Sequence, residues 1–402
     1  MERKPNLQFV EPLRKTLKQL SRNKKNDLTL FAFFLILIAL PMTIFILQKQ
    51  QQTQEQAAGT NALYVSTSGN DSNPGTQVSP FATLNKAASV ATAGTTVHVL
   101  PGTYNEAFSN SQSGTATAPI TFISDTKWRA KIVSGSKLIF DNSGDYVHII
   151  GFDISSSGGV SVALEITGSH DLIQGNHVHN MGGITCSGTP GGAGISDDSP
   201  GSDNTFDGNM INNIGDYPTA CDYIHALYID DAGDVVENNI SYNNTGNGFY
   251  VNHETGSVTF INNLAFANAE YGIGINGTQA VSGFVIANNI SMGNGLAGFK
   301  TWGVITGAQY INNIVFNNPT NFIQDGAGTD QGTITADPQF VNYQANGSGD
   351  YHLKATSPAI DAGISTNVPN HDYDGHPRPQ GKGYDIGPYE FTPERHPWIL
   401  SP

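Results

Sequence analysis

The sequence predicts an all-β solenoid, on two observations. The first is a repeat. Asp234-Val-Val-Glu-Asn-Asn-Ile240 is followed by Gly248-Phe-Tyr-Val251, Val258-Thr-Phe-Ile-Asn-Asn-Leu264 by Gly272-Ile-Gly-Ile275, and Phe284-Val-Ile-Ala-Asn-Asn-Ile290 by Gly298-Phe-Lys-Thr301. Asn239, Asn263 and Asn289 mark a period of about two dozen residues, the size of one stacked supersecondary unit. The second observation is composition. Only 13% of the chain is charged, about half the usual share, while Gly (45 residues) and Asn are abundant. Such a chain has a core to bury and many tight turns that need positive φ.

The N-terminus differs from this body. Residues 1–50 hold nine Lys/Arg against three Asp/Glu, a net of +6, so the rest carries −21 of the total −15. So acidic a body lacks the basic patch that meets phosphates, which argues against a nucleic-acid partner. Leu28 to Leu47 is free of charge for twenty residues, the length that crosses a bilayer as a helix. Its basic flank precedes it, so residues 1–27 are expected in the cytoplasm and the body outside. We read 28–47 as an uncleaved transmembrane signal-anchor, with Ala57-Ala58 leaving cleavage open, and the polar 48–60 as a linker.

The body starts with a distinctive block over 61–106. Tyr64-Val-Ser-Thr-Ser-Gly-Asn-Asp opens it, Ser79-Pro-Phe-Ala-Thr-Leu-Asn-Lys-Ala-Ala follows, and Val97-His-Val-Leu-Pro-Gly-Thr-Tyr104 closes it. Phe81, Leu84, Ala87, Ala88 and Ala91 share one helical face, and a helix laid over the first coil hides an open sheet end. This block resembles the N-terminal cap of secreted bacterial right-handed parallel β-helix proteins of the pectate-lyase-like superfamily. Residues 336–391 contain Asp337-Pro-Gln-Phe340, Ser357-Pro-Ala-Ile-Asp-Ala-Gly363, Asp372-Tyr-Asp-Gly375 and Asp385-Ile-Gly-Pro-Tyr-Glu390. They resemble the choice-of-anchor Q region that follows β-helices in bacterial surface proteins. The resemblance implies a right-handed parallel β-helix over 61–335, a C-terminal cap over 336–391, a tail over 392–402 and an extracytoplasmic location. It leaves the reaction open, because the fold hosts lyases, hydrolases and adhesins.

The coils can be aligned. One column reads Asn176, Asn209, Asn239, Asn263, Asn289 and Asn313, with Phe152 in the place below. Stacked about 4.8 Å apart, these amides can donate to one coil and accept from the other, which gives them a structural role. In the long strand of each coil Leu164, Ile195, Leu227, Phe249, Ile273 and Phe299 are expected inward. Glu165, Ser196, Tyr228, Tyr250, Gly274 and Lys300 alternate outward. Asp197 falls at an inward position, which suggests that the register breaks there. Cys186 and Cys221 lie in insertions before two of these strands, where neighbouring coils allow a disulfide; two free buried thiols is the alternative.

Chemistry has two expected locations. Lys300 is the one basic residue among 21 acidic ones between 138 and 353, and it lies beside Trp302. Lyases of this fold often pair a Lys or Arg base with Ca²⁺ on a uronate carboxylate. Lower on the same face lie Asp197, Asp198, Asp222, His225, Tyr228, Asp230, Asp231, Tyr250, Asn252, His253 and Glu254. Asp198 and Asp230 share a column, so they either hold a cation, with Ca²⁺ the cofactor, or share a proton. A hydrolase acid pair and plain solvated turns also fit. His225, His253, Asp230, Asp231, Tyr250 and Lys300 are the candidate catalytic groups, with Tyr228, Asn252 and Trp302 on the substrate. Three strand steps, about 14 Å, separate Lys300 from Asp230, too far to serve one sugar ring. Asp372, Asp374 and Gly375 look like part of a calcium loop. His177 and His179 stand at i, i+2, but no third metal ligand is evident in the sequence. The expected function is a monomeric, membrane-anchored polysaccharide lyase or glycoside hydrolase that acts outside the cell on an acidic or plant-type polysaccharide. The alternative is a non-catalytic carbohydrate-binding surface protein.

Overall fold

This computed structural model describes residues 61–159, 161–184, 186, 191–253, 256–324 and 327–393. Residues 62–402 form one compact unit. The expected tail, anchor and linker (1–27, 28–47 and 48–60) lie outside the described residues, as does Glu254. Among the described residues no helix is long and apolar enough to cross a membrane.

Each coil contributes one strand to each of three parallel sheets. Sheet 1 runs from Thr95–Val99 through Ile120–Ser124, Val147–Ile150, Leu172–Gln174, Thr205–Asp207, Val235–Glu237 and Thr259–Ile261 to Val285–Ala287. Sheet 2 has nine strands, from Gly102–Tyr104 to Ile314–Phe316. Sheet 3 includes Phe108–Asn110, Leu138–Asn142, Val162–Ile166, Gly192–Asp197, Ile224–Ile229, Phe249–Val251, Tyr271–Val281 and Ala297–Ile311. The far end of Ala297–Ile311 joins sheet 1. Alternation of side chains puts Leu164, Ile195, Leu227, Phe249, Ile273 and Phe299 in the core, as expected. The register does not break at Asp197: it pairs with Ile166 on one side and Ile229 on the other, and faces inward.

The helix Leu84–Val90 follows an N-cap at Thr83, whose side chain accepts from the Lys86 N–H. Asp71 fixes that entry by accepting from the Ala82 and Thr83 N–H groups. Leu84, Ala87 and Ala88 are buried in the same core as Val65, Val97 and Phe108, so the helix covers the first coils.

The Asn-Asn pair proves to be a two-part device at the turn from sheet 1 to sheet 2. Its first residue, Asn238, Asn262, Asn288 or Asn312, has φ between 47° and 56°, the left-handed region that Asn tolerates. Gly175 and Gly208 do the same in earlier coils. Its second residue forms the ladder: Asn239 donates N–H and Nδ2 to Asn263 Oδ1, and Asn263 does the same to Asn289. A second ladder, Asn244, Asn268, Asn294 and Asn318, repeats this at the turn from sheet 2 to sheet 3.

Cys186 and Cys221 form a disulfide that ties together the insertions before two sheet 3 strands. The C-terminal region departs from the end cap expected for it. Beyond the hairpin Phe340–Asn342 and Asp350–Leu353, it runs along the flank of the stack. Asn262 Nδ2 bonds the Asp385 and Gly387 carbonyls, Asn288 the Ile364 carbonyl and Asn312 the Ala362 carbonyl. The reason is apolar: Ile240, Tyr242, Leu264, Phe266, Ile290 and Ile314 of sheet 2 pack in one cluster with Phe340, Tyr351, Leu353 and Ile386. Asp372 is buried, and its carboxylate accepts from the Asp374, His376 and Glu390 N–H groups.

Candidate active site

A carboxylate cluster forms where sheet 3 turns toward sheet 1 on two adjacent coils. Asp197 ends one sheet 3 strand, Asp230 and Asp231 follow the next, and Asp234 precedes the sheet 1 strand Val235–Glu237. Asn204 organises two of them. Its Nδ2 donates to Asp197 Oδ1 at 3.0 Å and its N–H to Asp234 Oδ1 at 2.8 Å. The other oxygens are orphans: Oδ2 of Asp197, of Asp231 and of Asp234 is buried without a hydrogen-bond partner. The Asp197 and Asp234 carboxyl groups lie within hydrogen-bonding reach of each other, and with both ionised neither offers a donor. Burial, then repulsion from Asp234, raises Asp197 well above the usual carboxylate range. Burial, then Asp234, Asp230 and Asp198, pushes Asp231 up to about 7. An arrangement of buried, mutually repelling hard oxygens is relieved by a shared proton or by a hard cation. All-oxygen carboxylate donors with vacant lone pairs suit Ca²⁺. The residues present therefore fit the ion, through Asp197, Asp231 and Asp234 rather than through Asp198 and Asp230 alone. Asp198 Oδ2 instead accepts from Ser196 Oγ at 2.8 Å, and Asp230 contributes charge next to Asp231 and Tyr228.

An aromatic strip runs from this cluster up the outer face of sheet 3. Tyr228, Tyr250, Gly274 and Lys300 are register partners on four successive strands. Asn276 pairs with Trp302 and donates to Asn252 Oδ1 at 2.9 Å. Tyr250 stacks between His225 (4.2 Å between centroids) and Trp302 (5.6 Å). Gly274 makes that possible, because a Cβ there would come within 3.1 Å of the Tyr250 ring and 3.3 Å of the Trp302 ring. Burial raises the Tyr228 and Tyr250 hydroxyls above their ordinary value, so both are donors at neutral pH. At the upper end, Lys300 Nζ lies 4.2 Å from the Trp302 centroid and donates to Tyr271 Oη at 2.9 Å. Glu270 adjoins it, pushed up to about 8 by burial and by a hydrogen bond with Asp222.

The structure thus brings together Asp198, Tyr228, Asp230, Asp231 and His253, which is close enough to Asp198 to favour its charged form. Tyr250, Asn252 and Trp302 continue the same strip. Lys300 stays three strand steps away, as the register required. His225 is set apart: it is only 4% exposed, its Nδ1 accepts from Asn247 Nδ2, and burial lowers it to about 3. It is a neutral platform for Tyr250. Sequence reasoning missed Asp234, Glu270 and Tyr271. Asp234 had a signal: it occupies the place of Val258 and Phe284 in the following repeats, a charge in an apolar column.

The fold is that of the pectate-lyase-like right-handed parallel β-helices. Residues 63–222 match the family model described as Pel9A-like, right handed beta helix region. Among solved structures, pectate lyase Pel9A superposes with a TM-score of 0.58 at 18% identity, over 84% of this chain and 98% of that one. A rhamnogalacturonan lyase gives 0.50 at 20% identity, over 64% and 74%. At these identities the likeness is one of fold. The uncharacterized protein YwoF of Bacillus subtilis (strain 168) is 32% identical over 168 residues, 37% of this chain. That alignment spans only 36% of the length of YwoF.

Proposed function

We propose that this chain is a carbohydrate-active protein that cleaves an acidic polysaccharide by β-elimination, with Ca²⁺ held at Asp197, Asp231 and Asp234. The observation that carries the reading is the set of three orphaned, buried carboxylate oxygens at the foot of an aromatic strip. The fold it shares with a pectate lyase and a rhamnogalacturonan lyase supports it. When bound, the ion neutralises a uronate carboxylate and so acidifies the proton α to it; it also lets an anionic glycan approach an acidic body. His253, close enough to Asp198 to favour its charged form, takes that proton. The electron pair forms the new C=C bond as the glycosidic C–O bond breaks, and neutral Tyr228 protonates the departing oxygen. Tyr250 and Trp302 stack on neighbouring sugar rings, and Lys300 pairs with a uronate farther along the strip.

Hydrolysis is the second reading. A glycosidase needs its two carboxyl groups about 5–9.5 Å apart; the Asp222–Glu270 and Asp197–Asp234 pairs are in contact, which leaves Asp198 and Asp230 as the acid pair for that reading. The test is a panel of uronate and neutral polysaccharides incubated with the full-length protein. Elimination predicts an ultraviolet-absorbing unsaturated product, abolished by chelation and restored by Ca²⁺. Asp231→Ala is expected to lower the rate at least 100-fold, and His253→Ala by about 10²–10⁴. New reducing ends without unsaturation would indicate hydrolysis. Binding without product, unchanged in both variants, would leave the carbohydrate-binding alternative. The same reading keeps the body outside the membrane on residues 28–47; protease accessibility of the body in intact cells tests that.

A further inference from the structure

We propose a second metal site, for a divalent transition ion of the Zn²⁺ class, at Asp153, His177 and His179 on the outer face of sheet 2. Strand pairing places Asp153 beside His177 on adjacent coils, and His179 lies two residues on, facing the same way. Asp153 is the third ligand that the sequence did not reveal. One ligand atom from each of the three lies within 4.8 Å of the others. Asp153 Oδ1 is 3.2 Å from His179 Nε2, and Asp153 Oδ2 is 3.8 Å from His177 Nδ1. Ligands at about 2.0–2.2 Å in a tetrahedron stand roughly 3.3 Å apart, so small side-chain rotations close the site.

The hydrogen bonds show which nitrogens are available. His177 Nε2 meets Asn212 Oδ1 at 2.8 Å. A carbonyl oxygen only accepts, so Nε2 carries the proton and Nδ1 presents a lone pair toward the Asp153 carboxylate. His179 Nε2 donates to Asp153 Oδ1 at 3.2 Å, but Asp153 Oδ2 and His177 Nδ1 face each other as two acceptors, which a cation taking the place of the His179 proton relieves. Asn212 thereby acts as the outer partner that fixes ring tautomer and orientation. The donor set, two imidazoles and one carboxylate, is too nitrogen-rich for Ca²⁺ and suits Zn²⁺, leaving a fourth position for water. The side chains are 12–20% exposed, so an ion can enter. Trp128 walls one side, its ring 5.0 Å from that of His177. Lys131, the register partner of Asp153 one coil earlier, is the competing cation. An ion here ties strand Asp153–Ser156 to the coil where the asparagine ladder starts, just where Phe152 interrupts that ladder.

The experiment is Co²⁺ titration of the full-length protein with Ca²⁺ saturating the acidic cluster. One equivalent with tetrahedral d–d absorption, displaced by Zn²⁺, is expected. In wild-type protein, Zn²⁺ is also expected to protect His177 and His179, but not His98 or His170, from diethyl pyrocarbonate as read by mass spectrometry. His177→Gln with His179→Gln should abolish binding, and Asn212→Ala should weaken it about 10- to 100-fold. Lys131→Met should tighten it. Absence of the tetrahedral spectrum in wild-type protein, or unprotected His177 and His179 at saturating Zn²⁺, overturns the proposal without any variant having to fold.

Discussion

At the scale of single residues, the buried amides and carboxyls do opposite things. Each ladder asparagine satisfies its neighbours. Asn263→Ala strips the acceptor from the Asn239 N–H and Nδ2 and the donor from the Val236 carbonyl. Each buried group left unpaired costs about 1–3 kcal/mol, so a clear fall in the urea midpoint is expected, while Asn346→Ala, on an exposed turn, should be silent. Asp231 works the other way. Its folded value, about 7, lies above the ordinary 3.8. A carboxyl that binds its proton more tightly when folded gives its full stabilisation below about pH 4 and loses it as pH rises through about 7. Glu270, raised to about 8, extends that loss upward. In chelator, the melting temperature should therefore fall from pH 4 to pH 8. Asp231→Asn should flatten the fall, and Ca²⁺ should restore stability most at the alkaline end. A profile unchanged by Asp231→Asn would remove this residue from the cause.

At the scale of elements, the sequence disclosed what repeats and concealed what does not. The asparagine column was legible because Asn-Asn recurs at one spacing, and it fixed the inward and outward sets of sheet 3. The second ladder was hidden because its left-handed residue varies: Asn243, Ala267, Gly293 and Asn317. The strip of Tyr228, Tyr250 and Lys300 was legible from the period of two. Glu270 and Tyr271 were not, since Glu270 lies just before the strand Tyr271–Val281 and Tyr271 is its first residue, where a period of two has no earlier position to anchor it. The C-terminal segment was read as an end cap because its contacts are lateral and share no register with the coils. Its anchor is Arg378, buried against Glu390 at 2.6 Å and donating to Asn238 Oδ1 and the Gly387 carbonyl. Arg378→Met leaves a buried carboxylate without its countercharge, expected to cost about 3–5 kcal/mol in guanidinium unfolding. A cost below 1 kcal/mol would mean that the flank contacts are dispensable.

At the scale of the whole molecule, a stack of coils ordinarily behaves as a one-dimensional chain, in which each unit feels only its neighbours and ends can fray one repeat at a time. Here the last segment breaks that rule. Asn238 is bonded to His371 across 133 residues, Arg378 to Asn238 across 140 and His371 to Asp207 across 164. Opening the coils around residues 207 to 312 therefore requires releasing the segment that is last in the chain, and releasing it exposes the apolar flank of several coils together. The consequence is cooperativity: melting followed by far-ultraviolet circular dichroism and by tryptophan fluorescence should give coincident single transitions, where an unbraced stack would come apart in steps.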